Sequence, residues 1–169
     1  MIRYVNKIGV LYVCVLQGAD RLVMAIMEQG ASVNAVTGRG TALHMAAHKG
    51  RDTVCAVLIG AKAPTNAKDK MGKTALHVAA MSGKDAVCQV LVSSGANIDC
   101  IDDRGQTPLH YAAISGNEAI CKMLIAKGAQ VSAQDKKGET PLHSAARSVL
   151  VLAMRSSPIA GEYGVLTCG

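Results

Sequence analysis

TALHVAAMSG, residues 74–83, is nearly repeated as TALHMAAHKG at 41–50 and as TPLHYAAISG at 107–116. Its beginning returns as TPLHSAAR at 140–147. The leading threonines, Thr41, Thr74, Thr107 and Thr140, stand 33 residues apart at every step. A period of that length, held over three steps, means that one structural unit is used repeatedly.

One unit can be read physically on Asp69 to Ile101. Asp-Lys-Met-Gly is turn chemistry, with Gly72 free to take positive φ. Thr74 precedes an apolar helical pattern and suits an N-cap. Two copies place a proline, Pro108 or Pro141, directly after that threonine, where its missing N–H costs nothing. Leu76, Ala79 and Ala80 form the inward stripe of a two-turn helix that Gly83 stops. A second helix is predicted from Asp85 to Ser93, with Val87, Cys88, Leu91 and Val92 on one face. Helices of two or three turns do not persist alone. Tandem units must therefore bury their faces on one another.

These residues resemble the ankyrin repeat, through the 33-residue period together with the T-P-L-H-x-A signature. The match is closest over Asp102–Gln134 and strong from about Val36 to Ala146. The resemblance implies an all-α ankyrin-repeat solenoid of helix-turn-helix units with β-turn fingers, about four and a half repeats in all. It also implies a concave surface lined by fingers and first helices. The divisions expected are a degenerate first repeat over 1–35, repeats over 36–68, 69–101 and 102–134, a partial repeat over 135–147, and an irregular tail over 148–169.

Both ends depart from the pattern. Upstream, Leu11 falls on the signature leucine, Tyr12 on the histidine and Gly18 on the corner glycine. Leu22, Val23, Ile26 and Met27 fall on the second-helix face. That register favours a degenerate repeat over a signal peptide, which the basic-then-apolar start imitates without a small-x-small cleavage site. The link from this repeat to Thr41 is one residue short, so the finger VTGRG is expected to be distorted. Lys62 stands where later repeats have Gly95 and Gly128, and Gly60 is expected to cap that helix earlier. Downstream, Val149 replaces the corner glycine and Pro158 interrupts the second helix. Neither end resembles the polar cap of a solenoid, so the chain is expected to be a section of a longer array or an alternative gene product with an imperfect end.

The 169 residues are half apolar and only 18% charged, without Phe or Trp. That composition forms a core and excludes a disordered chain. The net charge of +6 admits an acidic partner. Nucleic acid is disfavoured, because no Lys/Arg run and few aromatics are available. No apolar run is long enough to span a membrane, so no insertion is expected. Cys55, Cys88 and Cys121 recur at the same period, without the short spacings of metal sites, and read as small buried hydrophobes. Free buried thiols suit an intracellular, cytoplasmic setting.

No catalytic, metal or cofactor site is expected. His44, His77, His110 and His143 sit at N3 of each first helix, where a side chain reaches back to the cap. Gly72-Lys73-Thr74 reads GKT, but a phosphate loop needs an earlier glycine, and that position holds Ala67. The positions that differ between copies are free to recognise a partner. In the fingers these are Lys70, Met71 and Lys73, then Asp103, Arg104 and Gln106, then Lys136, Lys137 and Glu139. At the first-helix ends they are His48 and Lys49, Met81 and Ser82, Ile114 and Ser115, and Arg147. Met81 and Ile114 read as an apolar anchor pair. Lys73, Arg104 and Lys136 around them suit an acidic or phosphorylated segment. The function expected is a non-catalytic scaffold or adaptor that binds another protein. The alternatives are a soluble regulatory arm of a channel, kinase or phosphatase assembly, and a nucleic-acid or acidic-ligand binder.

Overall fold

The computed structural model describes residues 7–156, with side-chain environments through residue 149. Helices come in pairs: α1 (Lys7–Gln17) with α2 (Asp20–Glu28), α3 (Ala42–Lys49) with α4 (Asp52–Gly60), α5 (Ala75–Met81) with α6 (Asp85–Ser93), and α7 (Pro108–Ser115) with α8 (Glu118–Ala126). A single long helix, α9 (Pro141–Ser156), follows. Each first helix packs on the next (α1 on α3, then α5, α7 and α9), and the second helices α2, α4, α6 and α8 do the same. The expected solenoid of short helical layers is therefore present.

Burial repeats with the sequence period. Leu43, Leu76 and Leu109 are almost fully buried, and so are Ala46-Ala47 and Ala79-Ala80. On the second helices Val54, Val87 and Ile120 are buried, as are Leu58, Leu91 and Leu124. Small alanines let first helices approach closely, and the branched residues fill the space between layers. The first pair of helices joins this core through Leu11, Val15 and Val23. The first helix pair thus packs on the next one, α1 on α3 and α2 on α4.

Three expectations need correction. Gly60 does not cap α4; it is the last residue of that helix, and Lys62 itself takes the left-handed conformation, φ 68°. Repeating the corner at that spot matters more to the stack than the roughly 1–2 kcal/mol that a side chain costs there. Next, the chain does not become irregular at residue 148. Val149 stands where a left-handed corner glycine would break the helix, and a β-branched residue resists that conformation, so α9 runs on to Ser156. The remainder of the expected tail, with Pro158, lies outside the described residues. Finally, Leu22 is 55% exposed. It occupies the slot of Val54, Val87 and Ile120, which are fully buried, and no described layer precedes α2.

The fingers are tight turns. In three of them an aspartate N–H donates to the carbonyl four residues on: Asp69 to Lys73, Asp102 to Gln106, Asp135 to Glu139. Successive fingers are joined, because Asp103 N–H donates to Met71 O at 3.1 Å and Lys136 N–H to Arg104 O at 2.9 Å. The first finger differs, as the short link requires. Here β1 (Val36–Thr37) and β2 (Gly40–Thr41) pair as a small antiparallel hairpin.

Candidate functional site

The histidines are consumed by the scaffold. In α5, Nδ1 of His77 accepts the Thr74 N–H at 3.0 Å, and Thr74 Oγ1 lies 2.9 Å away. His44 and His110 do the same with Thr41 and Thr107. Each ring then turns its other nitrogen to the next finger. Nε2 of His44 meets Lys73 O at 2.9 Å, His77 meets Gln106 O at 3.0 Å, and His110 meets Glu139 O at 3.0 Å. A carbonyl only accepts and an amide N–H only donates, so each imidazole is held as the neutral tautomer protonated on Nε2. Burial, the largest influence on His77, lowers its pKa and outweighs the Gln106 carbonyl bond and nearby Asp102, which raise it. The reach back to the cap was visible in the sequence. The bond to the next finger was not, because nothing in one unit shows where the neighbouring one lies.

Cys55 and Cys88 are completely buried. Burial first, and then the nearby Asp52 or Asp85, pushes each thiol up to about 12. They fill space and are not nucleophiles. Among the described residues no group of three or more His, Cys, Asp or Glu side chains could hold a metal. The GKT triplet lies across a finger and a helix start, with Thr74 wholly buried.

The repeat-specific positions fall beside one another on the fingers and the first-helix ends. Lys70, Met71, Asp103, Arg104, Lys136 and Lys137 are exposed on the fingers, and Lys73 is half-buried. The Lys73 ammonium sits 4.8 Å from the centre of the Tyr111 ring and 4.0 Å from Met81 Sδ. A cation is attracted to the negative face of an aromatic ring. Tyr111 Oη donates to Asp102 Oδ2 at 2.8 Å, and its ring meets His77 edge-on at 5.8 Å. Desolvation works to raise the Asp102 pKa. The hydrogen bonds from Tyr111, Gln106 and Arg104, with His77 nearby, outweigh it and leave the carboxyl below its usual range. Tyr111 was not singled out in the sequence, although its departure from Met45, Val78 and Ser144 at the same slot was the available signal.

Other predicted positions are used differently. Gln106 is buried, 6% exposed, with Nε2 on Asp135 Oδ2 at 3.3 Å. It joins two fingers and is removed from the recognition set, because burial inside the stack leaves it nothing to offer a partner. Met81 is 41% exposed, whereas Ile114 is half-buried beside α9, its carbonyl accepting the Ser148 hydroxyl at 2.8 Å. Ser82 pairs with His48 at 3.1 Å. Ser115 Oγ lies within hydrogen-bond reach of the Ala80 and Ala112 carbonyls. Glu139 and Arg147 form an ion pair at 2.6 Å.

The family model for ankyrin repeats (3 copies) matches residues 11–102 and 84–153. The chain is an ankyrin-repeat protein. The matched span of this ankyrin protein includes most of α1, all of α2 and most of α9. A search of curated proteins finds no match. Ankyrin repeats are generally protein–protein interaction modules, and the family is typically non-catalytic. Among the described residues no helix is long and apolar enough to cross a membrane.

Proposed function

We propose that this chain is a scaffold or adaptor module that docks another protein on its fingers and first-helix ends. One observation carries the reading. Shared positions such as Leu76, Ala79, His77 and Thr74 are buried in the layers, while most of the finger and first-helix-end positions that differ between copies, Lys70, Met71, Met81, Asp103, Arg104, Lys136 and Lys137 among them, are exposed. Only those positions are left to carry identity.

Met81, with Lys73 fixed beside it over Tyr111, supplies the apolar anchor, and half-buried Ile114 extends it to the next layer. Lys70, Arg104, Lys136 and Lys137 add exposed positive charge on the fingers, opposed among the exposed finger positions by Asp103. That balance favours an acidic or phosphorylated segment in the partner. The buried thiols and the absence of a spanning helix among the described residues are compatible with an intracellular, cytoplasmic setting.

Affinity capture with the native chain and a Met81→Asp/Ile114→Asp variant tests the reading. The variant should keep its helical circular dichroism and lose a defined set of bound proteins. Those proteins should also elute as salt is raised from low to physiological strength. An identical set on both baits would remove the assigned surface.

A further inference from the structure

The third and fourth fingers and α9 enclose a polar hollow of about 440 Å³. Four cations line it: Arg104, Lys136, Lys137 and Arg147. One layer back, the corresponding space is filled. There Tyr111 reaches Asp102 at 2.8 Å, and Lys73 lies over its ring. Gln106 and Asp135, the counterparts of Lys73 and Asp102, line the hollow. In the slot of Tyr111, α9 carries Ser144, whose Oγ meets no partner. A serine is too short to reach Asp135 as the tyrosine reaches Asp102. Gln106 bonds that carboxylate instead, and the space stays open.

The acids around the hollow are already engaged. Asp135 Oδ1 accepts the N–H groups of Lys137 and Glu139 at 2.8 and 3.0 Å, and its Oδ2 accepts Gln106 Nε2 at 3.3 Å. Glu139 holds Arg147 through both oxygens, at 2.7 and 2.6 Å. Asp103 Oδ1 lies beside Gly72, on the side of the preceding finger. Arg104, Lys136 and Lys137 are exposed and have no ion-pair partner among the described residues. Their combined charge exceeds what one carboxylate balances. A phosphate monoester brings about −1.5 to −2 charge and three acceptor oxygens, and the arginine fork matches it. No aromatic side chain lines the hollow, so a nucleic-acid base would find nothing to stack on.

We propose that this hollow receives a phosphorylated serine or threonine of the docked partner, held by Arg104, Lys136 and Lys137, with Arg147 kept at its edge by Glu139. The proposal rests on the docking reading above and narrows the partner's chemistry to a phosphate at one place.

Nuclear magnetic resonance titration of the full-length chain tests it. The probes are a short, end-blocked alanine peptide carrying one phosphoserine and its unphosphorylated twin, at constant ionic strength. The phosphopeptide should bind saturably and at least about tenfold tighter than the twin, with the largest shifts at the amides of Arg104, Lys136 and Lys137. Arg104→Gln and Lys137→Gln change exposed side chains, and circular dichroism verifies their fold. Each should weaken binding about fivefold. Lys127→Gln removes the same charge from the exposed end of α8 and should not weaken it. Three results would each overturn the proposal: equal affinity for both peptides, an equal loss in Lys127→Gln, or shifts that never saturate. Displacement of the phosphopeptide by oligothymidylate at equal phosphate concentration and physiological salt would overturn it too, assigning the cations to nucleic acid. Capture unaffected by Met81→Asp/Ile114→Asp would remove the docking surface while leaving the peptide results standing, so the two failures are distinguishable.

Discussion

Tyr12 Oη donates to the Gly40 carbonyl at 2.6 Å. The acceptor is the residue just before Thr41, and in the later layers the equivalent carbonyls of Lys73, Gln106 and Glu139 are met by histidine. A phenol therefore does in the first layer what an imidazole does in the rest, across a link that is one residue shorter. Tyr12→Phe should cost about 0.5–1.5 kcal/mol, because the bond is lost from a covered carbonyl. Hydrogen exchange should locate the loss. Amides of α1 and the first finger should exchange faster, while those of α5 to α8 should not change.

Lys62 and Gly60 make a paired prediction. Lys62 holds the left-handed corner at φ 68°, so Lys62→Gly should stabilise the chain by about 0.5–1 kcal/mol. Gly60 ends α4 with open space around its missing Cβ, so Gly60→Ala should be neutral or stabilising by a similar amount. Urea midpoints decide both. A loss of stability in Gly60→Ala would restore Gly60 as the cap.

Gly72 is different. Its φ is 72°, and an added Cβ would lie 2.8 Å from the Asp103 backbone nitrogen and 2.5 Å from Asp103 Oδ1. The next finger is fixed there by its bond to Met71 O, so it cannot easily withdraw. Gly72→Ala should destabilise by about 2 kcal/mol or more in thermal unfolding, through strain and clash together.

His77 and Asp102 predict the response to acid. The folded-state pKa of His77 is lowered, so the unfolded chain binds the proton first as pH falls below 6.5. Stability from this group is present above 6.5 and declines below it, until the folded-state pKa is reached. Asp102 is also lowered, and its contribution is lost further down, as pH falls below 3.8 and through the folded value. Protonated His77 would turn an N–H on Nδ1 towards the Thr74 N–H and open the cap. His77→Gln should abolish the part of the decline just below pH 6.5 and leave the lower part intact, as read from urea midpoints against pH.

The thiols should divide by layer. Cys55 and Cys88, buried and pushed up to about 12, should resist iodoacetamide at pH 8 until the chain unfolds. Half-buried Cys100 and Cys121 should label in the native state. Mass spectrometry of peptides before and after denaturant reads this directly.

The interior of the stack was legible in the sequence because it is made of local rules repeated at a fixed interval. Thr74 and His77 close a helix turn within four residues. Leu76 and Ala79 share a face by helical geometry alone. Gly72 marks a turn by its own backbone freedom. The second helix from Asp85 to Ser93 could be delimited from its apolar spacing. The candidate surface was less legible. Lys73 and Met81 could be named as variable, but their meeting over Tyr111 joins two layers, and no spacing within one unit shows it.

What the sequence by itself determined is the unit, its period and the side that each residue presents, since these depend on neighbours three or four positions away. What only the tertiary structure decided is everything that passes between units. Gln106 is buried because Asp135 of the next finger lies beside it. Lys62 tolerates a strained corner because the layers on either side require one. Leu142 is exposed, although Leu76 and Leu109 in the same slot are buried, because α9 continues where its predecessors turn. Burial and bonding across layers arise from residues about thirty positions apart, and only the folded stack brings them into contact.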